Sequence, residues 1–170
     1  MKVTLLANVS ANGKVLVTEN PHYHEPMEAL RFIITYANNS KNIILGRKTY
    51  EVLERVPGST KRVFPQADVV VISQSKLESN DVKFVTTANE AMDYLKSKGH
   101  QEIIVGGGAG IYNLFLEQEL VTDMYFNYIP IVVGDGGILG HSETLSTQFE
   151  IKQHHILAPN ILQVHYSRKG

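Results

Sequence analysis

The residues best suited to bind a ligand are the four glycines of the segment 106–110, Gly-Gly-Gly-Ala-Gly. The segment follows an apolar run at 103–105 and precedes residues 111–117, whose pattern is typical of a helix. Glycines let a ligand approach the backbone closely, and free amides at a helix start attract phosphate. A tight turn alone needs one or two glycines, so we predict a phosphate-binding loop. Its spacing is neither that of the Rossmann fingerprint nor that of a P-loop.

The segment 46–50, Gly-Arg-Lys-Thr-Tyr, is a second candidate anion site. Arg47 and Lys48 fall in the first turn of a predicted helix, where each cation costs about 0.3–1 kcal/mol against the helix dipole. An anion bound at the helix start would reverse that cost. The alternative is that the two side chains point into water or pair with Glu51 or Glu54.

The segment 73–76, Ser-Gln-Ser-Lys, is a weaker third candidate at the carboxyl end of a predicted strand. Its hydroxyl and ammonium groups suit contacts with phosphate or ribose. The three segments follow separate predicted strands, and each offers donors to phosphate. This arrangement favours a dinucleotide, which has several phosphates and two riboses.

Glu25 and Glu28 are the candidate acid–base groups, at the start of a predicted helix over 26–39. A carboxylate on the sheet-facing side could hold the amidine-like edge of a pterin or pyrimidine through paired hydrogen bonds. The alternative is a solvated first-turn glutamate that the helix dipole favours. His22 and His24 lack a third ligand at a recognisable spacing, so we expect no metal site.

The composition is that of an ordinary globular protein, with 43% hydrophobic and 19% charged residues in 170. A net charge of −1 gives no reason to expect a nucleic acid or a membrane as partner. The absence of cysteine excludes disulfides and a thiolate nucleophile. Residues 1–6 do not extend into the apolar core of a signal peptide, and we expect a cytoplasmic protein.

Predicted strands and helices alternate along the chain, which we treat as one domain, 1–170. The class is α/β, a three-layer fold with a mixed, mostly parallel eight-stranded sheet between about four helices. Ligands bind such sheets where strands lead into helices. The predicted strands are 3–9, 42–45, 68–73, 82–85, 103–105, 122–129 and a terminal antiparallel hairpin of 149–157 and 161–167; the predicted helices are 26–39, 47–55, 89–98 and 111–117.

Several segments, taken in order, carry a resemblance to a known family. Residues 42–51 read Asn-Ile-Ile-Leu-Gly-Arg-Lys-Thr-Tyr-Glu, residues 69–75 read Val-Val-Val-Ile-Ser-Gln-Ser, and residues 103–112 read Ile-Ile-Val-Gly-Gly-Gly-Ala-Gly-Ile-Tyr. They resemble the Gly-Arg-x-Thr-Trp/Phe-Glu segment, the serine turn and the Gly-Gly-Gly-x-x-Tyr loop of the dihydrofolate reductase family and its relative, the reductase domain of riboflavin biosynthesis. The likeness spans nearly the whole chain.

The resemblance implies a dihydrofolate reductase-like fold and an NADPH-dependent reductase that passes hydride to a carbon–nitrogen double bond. Residues 13–17 would border the nicotinamide, and the loop 18–25 would act as a lid. The implied cofactor-binding residues are Ala7, Gly46, Arg47, Lys48, Thr49, Ser73, Gln74, Ser75, Gly107, Gly108, Ala109, Gly110 and Ile111.

Alignment of Phe32 with the family's substrate-stacking phenylalanine makes Glu28 the carboxylate that holds a pterin. The resemblance thus implies Glu28 as the catalytic residue, with Asn12, Phe32 and Tyr112 also contacting a small heterocyclic substrate.

Other features resemble the riboflavin-pathway reductase. Residues 8–14, Asn-Val-Ser-Ala-Asn-Gly-Lys, are similar to its Ser-x-Asp-Gly-Lys motif, with Asn12 in place of the aspartate, and residues 130–137 also look riboflavin-type. An alternative substrate is therefore 5-amino-6-(5-phosphoribosylamino)uracil, with its phosphate near Lys14 or Lys41. A further alternative is a non-catalytic NADPH-binding module, since the family's lid tryptophan is absent. Riboflavin-type relatives commonly pair, which favours a homodimer.

Overall fold

The computed structural model describes residues 1–16 and 20–170, and these form one eight-stranded sheet with helices on both faces. The strands are β1 (Lys2–Ser10), β2 (Asn42–Gly46), β3 (Asp68–Ile72), β4 (Lys83–Val85), β5 (Glu102–Gly107), β6 (Asp123–Ile129), β7 (Phe149–Ala158) and β8 (Ile161–Arg168). The helices are α1 (Met27–Ser40), α2 (Arg47–Leu53), α3 (Ser59–Val63), α4 (Ala88–Ser97) and α5 (Ala109–Glu117).

The sheet has the strand order β4-β3-β2-β5-β1-β6-β8-β7. The first six strands in sequence pair in parallel, while β8 runs antiparallel to both β6 and β7. This confirms the predicted fold class and the terminal hairpin. None of the helices in the described ranges is long and apolar enough to cross a bilayer.

The described residues contain five helices, one more than predicted, because the sequence expectation missed α3. Its single turn lies between Gly58 and Pro65, residues that favour a loop on local grounds. The turn depends on Glu54, whose carboxylate accepts the backbone N–H groups of Gly58 at 2.9 Å and Thr60 at 3.0 Å. That contact cannot be read from residue types.

The near-continuous apolar strands are explained by burial on both faces of the sheet. On β1, Leu5 faces the cluster that includes Phe115 of α5, and Leu6 faces the opposite cluster with Ala37 of α1. Fully burying one such leucine stabilises the fold by about 1.5–3 kcal/mol. The two clusters fix both helix layers against the sheet.

Strand β5 lies between β1 and β2, although it follows both in sequence. From β1 the chain first continues to β2, which lies beyond β5 in the sheet. It later continues from β5 to β6, which lies on the opposite side of β1. In open α/β sheets a crevice forms at the carboxyl ends of strands where connections diverge in this way. The carboxyl ends of β1, β2 and β5 are therefore the place to look for a ligand site.

Candidate active site

A cavity of about 680 Å³ opens at the carboxyl ends of β1, β2 and β5. That volume lies in the range of small-molecule sites. The helix starts of α2 and α5 and the side chains of Asn8 and Glu25 supply its polar groups. One wall is apolar and consists of Leu30, Ile33, Ile34, Val52, Leu53, Val63 and Phe64.

The glycine loop begins at a bulge, where the register between β2 and β5 shifts after Ile44. A Cβ on Gly106 would lie 2.4 Å from Ile43 Cδ1. Gly107 has φ +115°, and its Cβ would lie 2.7 Å from the Tyr112 hydroxyl. Packing and backbone conformation therefore account for the first two glycines of the loop.

The remaining two glycines of the loop are not required by packing of this kind. A Cβ on Gly108 would lie 3.4 Å from Thr49 Oγ1, an ordinary contact, and one on Gly110 would meet nothing within 4 Å. Gly108 precedes α5 without a side-chain cap, so the amides of Ala109 and Gly110 have no partner within the helix. Both residues line the cavity, and amides at a helix start are suited to an anion.

The start of α2 abuts the start of α5. A Cβ on Gly46 would lie 2.7 Å from Ile111 Cγ1, so only glycine permits this approach. Arg47 lines the cavity and donates to Glu51 at 2.7 Å, which realises the predicted alternative of an i,i+4 pair. Lys48 and Thr49 also line the cavity. Two helix amino termini and two cations thus give this end of the cavity a positive potential.

Glu25 is the carboxylate among the described residues that line the cavity. Its Oε1 accepts a hydrogen bond from Asn8 Nδ2 at 3.1 Å. Burial raises the pKa of Glu25, and the bond from Asn8 opposes that rise. Burial also raises the pKa of Tyr23 to about 12, with the nearby Glu25 charge adding to the effect.

Tyr112 also lines the cavity. Its hydroxyl donates to the carbonyl of Leu6, and the side chain is almost fully buried. Burial raises the pKa of Tyr112, and the charge of Glu25 contributes to this shift. Tyr112 therefore stays a neutral donor that ties α5 to β1 beside the glycine loop.

Glu28 and Phe32 lie outside this cavity. Glu28 is exposed and borders a separate, shallow pocket of about 340 Å³ together with Phe32. The Phe32 ring packs against Tyr36 and Tyr125, with ring centroids 5.8 and 5.7 Å apart. Glu28 and Phe32 share one helix face because they are four residues apart, while Leu30, Ile33 and Ile34 turn toward the cavity.

Asn12 does not line the cavity either. Its Nδ2 donates to the Val133 carbonyl at 2.8 Å, and its Oδ1 accepts from the Val133 amide at 3.2 Å. Asn12 thereby holds the 130–137 segment beside the end of β1.

The other implied cofactor residues are divided between the cavity and its surroundings. The structure brings Gly46 to Thr49 and Gly107 to Ile111 together in the cavity lining. Ala7 is buried in β1, and Ser73, Gln74 and Ser75 follow β3 outside that lining. Ser73 Oγ accepts from the Ser75 amide at 3.1 Å, and Gln74 Nε2 donates to the Thr86 carbonyl at 2.8 Å. Residues 17–19, part of the implied nicotinamide border and lid, lie outside the described residues.

Sequence reasoning missed Asn8 and the apolar wall. Asn8 did leave a signal, because it is a polar residue inside the otherwise apolar strand predicted over 3–9. The residues of the apolar wall have no sequence signal other than helical spacing. That spacing indicates that a residue faces inward but not that it borders a cavity.

Comparison with known proteins supports the assignment of both fold and family. Residues 4–138 match the dihydrofolate reductase family model. The dihydrofolate reductase of Buchnera aphidicola subsp. Acyrthosiphon pisum (strain APS) is 29% identical over 136 residues, or 79% of this chain and 77% of that protein.

Two solved structures share the fold. A candidate riboflavin biosynthesis protein from Shewanella sp. PV-4 has a TM-score of 0.76 at 19% identity, with 100% of both chains covered. A pyrimidine reductase-like protein from Corynebacterium diphtheriae has a TM-score of 0.75 at 13% identity, with 99% of this chain and 92% of that chain covered. At these identities the likeness concerns the fold alone.

Proposed function

The chain belongs to the dihydrofolate reductase family, and we propose that it is an NADPH-dependent reductase acting on a pterin or related nitrogen heterocycle. The observation that carries this proposal is the placement of a half-buried carboxylate, Glu25, in the same cavity as two helix starts, one of which bears Arg47 and Lys48. One end of the cavity suits phosphates, and the other suits a heterocycle with paired N–H donors.

The residues at the positive end fit a dinucleotide phosphate. The amides of Ala109 and Gly110, which have no partner within α5, would hold the pyrophosphate, and Arg47, Lys48 and Thr49 would hold a 2′-phosphate. Ser73, Gln74 and Ser75 lie at the same edge of the sheet, and we propose that they contact the adenosine end. The chemistry supplied by bound NADPH is hydride transfer to the substrate carbon.

Glu25 would orient the substrate. An ionised carboxylate accepts two N–H groups from an amidine-like ring edge, which fixes the reacting carbon relative to the positive end of the cavity. Such a carboxylate also favours proton uptake by the ring, with water as the source of the proton. Asn8 holds the carboxylate in place through the 3.1 Å bond.

The cavity favours a pterin-like substrate over the phosphorylated ribosylaminopyrimidine. Of its described lining residues, only Arg47 and Lys48 are cations, and both lie at the end proposed for the cofactor. Lys14 and Lys41, expected to hold a second phosphate, are absent from that lining. The apolar wall instead suits an uncharged, flat substituent on the heterocycle.

The cofactor assignment is tested by fluorescence titration with NADPH and NADH. We expect wild type to prefer NADPH, and Arg47→Ala to weaken NADPH about ten- to hundredfold, the value of a charge-assisted phosphate contact, with little change for NADH. Lys96→Ala is the matched control, since it removes an ion-paired helix cation of similar exposure, 44% against 42%. Equal losses for both nucleotides in Arg47→Ala would contradict the 2′-phosphate contact.

The carboxylate assignment is tested by NADPH oxidation with dihydropterins. We expect Glu25→Gln to lower turnover about 10²–10⁴-fold, the usual contribution of a positioned acid or base, with NADPH affinity unchanged. Glu28→Gln is the control and should behave as wild type. Loss of turnover in Glu28→Gln with full turnover in Glu25→Gln would instead identify Glu28 as the substrate carboxylate. Tight NADPH binding without oxidation would favour the non-catalytic module.

We further propose a homodimer in the cytoplasm. The expectation comes from the riboflavin-type resemblance and from composition, and sedimentation analysis together with cell fractionation tests it.

A further inference from the structure

Three buried amide side chains form a row across neighbouring strands. Asn8 of β1 lies opposite Asn127 of β6, and Asn127 lies opposite Gln163 of β8. Their side chains are bonded in series, with Gln163 Nε2 2.8 Å from Asn127 Oδ1 and Asn127 Nδ2 2.9 Å from Asn8 Oδ1. The three residues are at most 3% exposed.

The bonds all run in one direction. Gln163 donates to Asn127, Asn127 donates to Asn8, and Asn8 donates to Glu25 Oε1. Each carbonyl oxygen of the two asparagines accepts from the preceding amide, so each asparagine donates its N–H to the next group in the row. Asn127 and Gln163 do not line the cavity themselves.

We propose that Asn127 and Gln163 are positioning residues that hold the Asn8 amide with its N–H toward Glu25 and so keep that carboxylate a hydrogen-bond acceptor. The inference rests on the proposed role of Glu25 as the group that orients the substrate. It assigns a part in the reaction to two residues that touch neither substrate nor cofactor.

Amides suit this role because they do not titrate. An Asn8 side chain free to turn could present its oxygen to Glu25, which would favour the protonated carboxyl group. With its own oxygen held by Asn127, Asn8 offers only a donor, and a donor favours the ionised carboxylate. Hydrogen bonds in series strengthen one another in a low-dielectric interior.

The other groups around Glu25 lie on neighbouring elements. Tyr23 of the preceding loop and Tyr112 of α5 interact electrostatically with it. Arg47 and Lys48 of α2 line the same cavity. Burial opposes ionisation of Glu25, and the donor from Asn8 acts against burial.

Two substitutions of Asn127 disturb the row differently. Asn127→Leu is nearly isosteric and removes both hydrogen bonds without adding charge, so Asn8 loses its fixed orientation. Asn127→Asp keeps the shape, and its ionised form accepts from Gln163 and Asn8 together, which turns the Asn8 oxygen toward Glu25. His155→Glu, on β7 opposite Gln163, is the control for a nearby negative charge outside the row.

The test is a ¹³C NMR titration of side-chain carboxyls in glutamate-labelled protein, with the Glu25 signal assigned by its loss in Glu25→Gln. No substrate is needed. We expect the pKa of Glu25 to rise in Asn127→Leu and to rise further, by a unit or more, in Asn127→Asp, with no change in His155→Glu. The acid limb of kcat/KM should move by the same amount in each variant.

An unchanged Glu25 titration in both folded Asn127 variants would overturn the proposal. If these variants do not fold, Gln163→Glu disturbs the row from its far end and is judged by the same criterion. A shifted titration together with full activity of Glu25→Gln would leave the row as a device that tunes Glu25 while removing the proposed role of Glu25 in the reaction.

Discussion

At the residue scale, the proposed chemistry depends on the Glu25 carboxylate. Glu28, only three residues later in the sequence, lies in different surroundings. Glu25 and Glu28 are both glutamates near the start of α1, yet Glu25 lines the cavity and is half-buried, whereas Glu28 is exposed. Their surroundings differ because Glu25 precedes the helix beside β1, whereas Glu28 lies on the face that points away from the cavity. Partial burial then raises the pKa of Glu25.

The half-buried Glu25 carboxylate should weaken the fold at neutral pH. Its pKa is raised in the native state, so stability falls as pH rises from the ordinary glutamate pKa to the native pKa, by about 1.4 kcal/mol for each pH unit that separates the two. We therefore expect Glu25→Gln to be more stable than wild type at pH 7 in urea unfolding. The gain should vanish below about pH 4, where the carboxyl group is protonated in both states.

Glu28→Gln is the control for this effect. Because Glu28 is exposed, its replacement should leave stability within about 0.5 kcal/mol of wild type at both pH values. Destabilisation of Glu25→Gln at pH 7 would show that the carboxylate stabilises the native state instead.

At the scale of elements, the glycine loop between β5 and α5 combines two different requirements. Gly106 and Gly107 satisfy packing against Ile43 and Tyr112, whereas Gly110 borders open space at the start of α5. The sequence pattern alone treats all four glycines as one phosphate-binding signal. The structure assigns part of that signal to the fold.

Gly107→Ala and Gly110→Ala should therefore change the free energy of unfolding in opposite directions. Alanine at 107 meets both a left-handed backbone and the Tyr112 hydroxyl held by Leu6, so we expect a loss of about 1–3 kcal/mol in urea unfolding. Alanine at 110 suits the helix and should add about 0.5–1 kcal/mol. NADPH titration of Gly110→Ala should nevertheless show weaker binding, since the new methyl lies where the pyrophosphate is proposed. Unchanged NADPH affinity would contradict that placement.

At the scale of the whole molecule, the strand order creates the site. Parallel strands β1, β2 and β5 end at one edge, and the insertion of β5 between the other two brings the starts of α2 and α5 together. Residues distant in the chain thereby share one cavity, and a dinucleotide bound there would contact several elements at once.

Binding across several elements should stabilise the whole fold. At 100 times its dissociation constant a ligand adds about 2.7 kcal/mol, and a chain of this length gains about 2–4 °C per kcal/mol. We expect NADPH to raise the Tm by about 5–10 °C in calorimetry. NADH at the same concentration should raise it less, and Arg47→Ala should reduce the NADPH shift while Lys96→Ala preserves it. No shift with either nucleotide would remove the cofactor assignment.

The sequence by itself determined the order and type of the main elements and the terminal hairpin, and it predicts anion binding at the segments 46–50 and 106–110. These features follow from local spacing, glycine content and apolar runs, whose effects act over a few residues. The single turn α3 was missed because its stability comes from a glutamate outside it.

Only the tertiary structure decided which carboxylate enters the cavity and what supports it. The path of the chain into α1 and the rotation of that helix both depend on packing against the sheet, so residue spacing could not choose between Glu25 and Glu28. The row of Asn8, Asn127 and Gln163 joins residues 119 and 36 positions apart, and it exists because strand pairing brings them into register. Register and helix rotation are set by the packing of the whole core, which no local pattern contains.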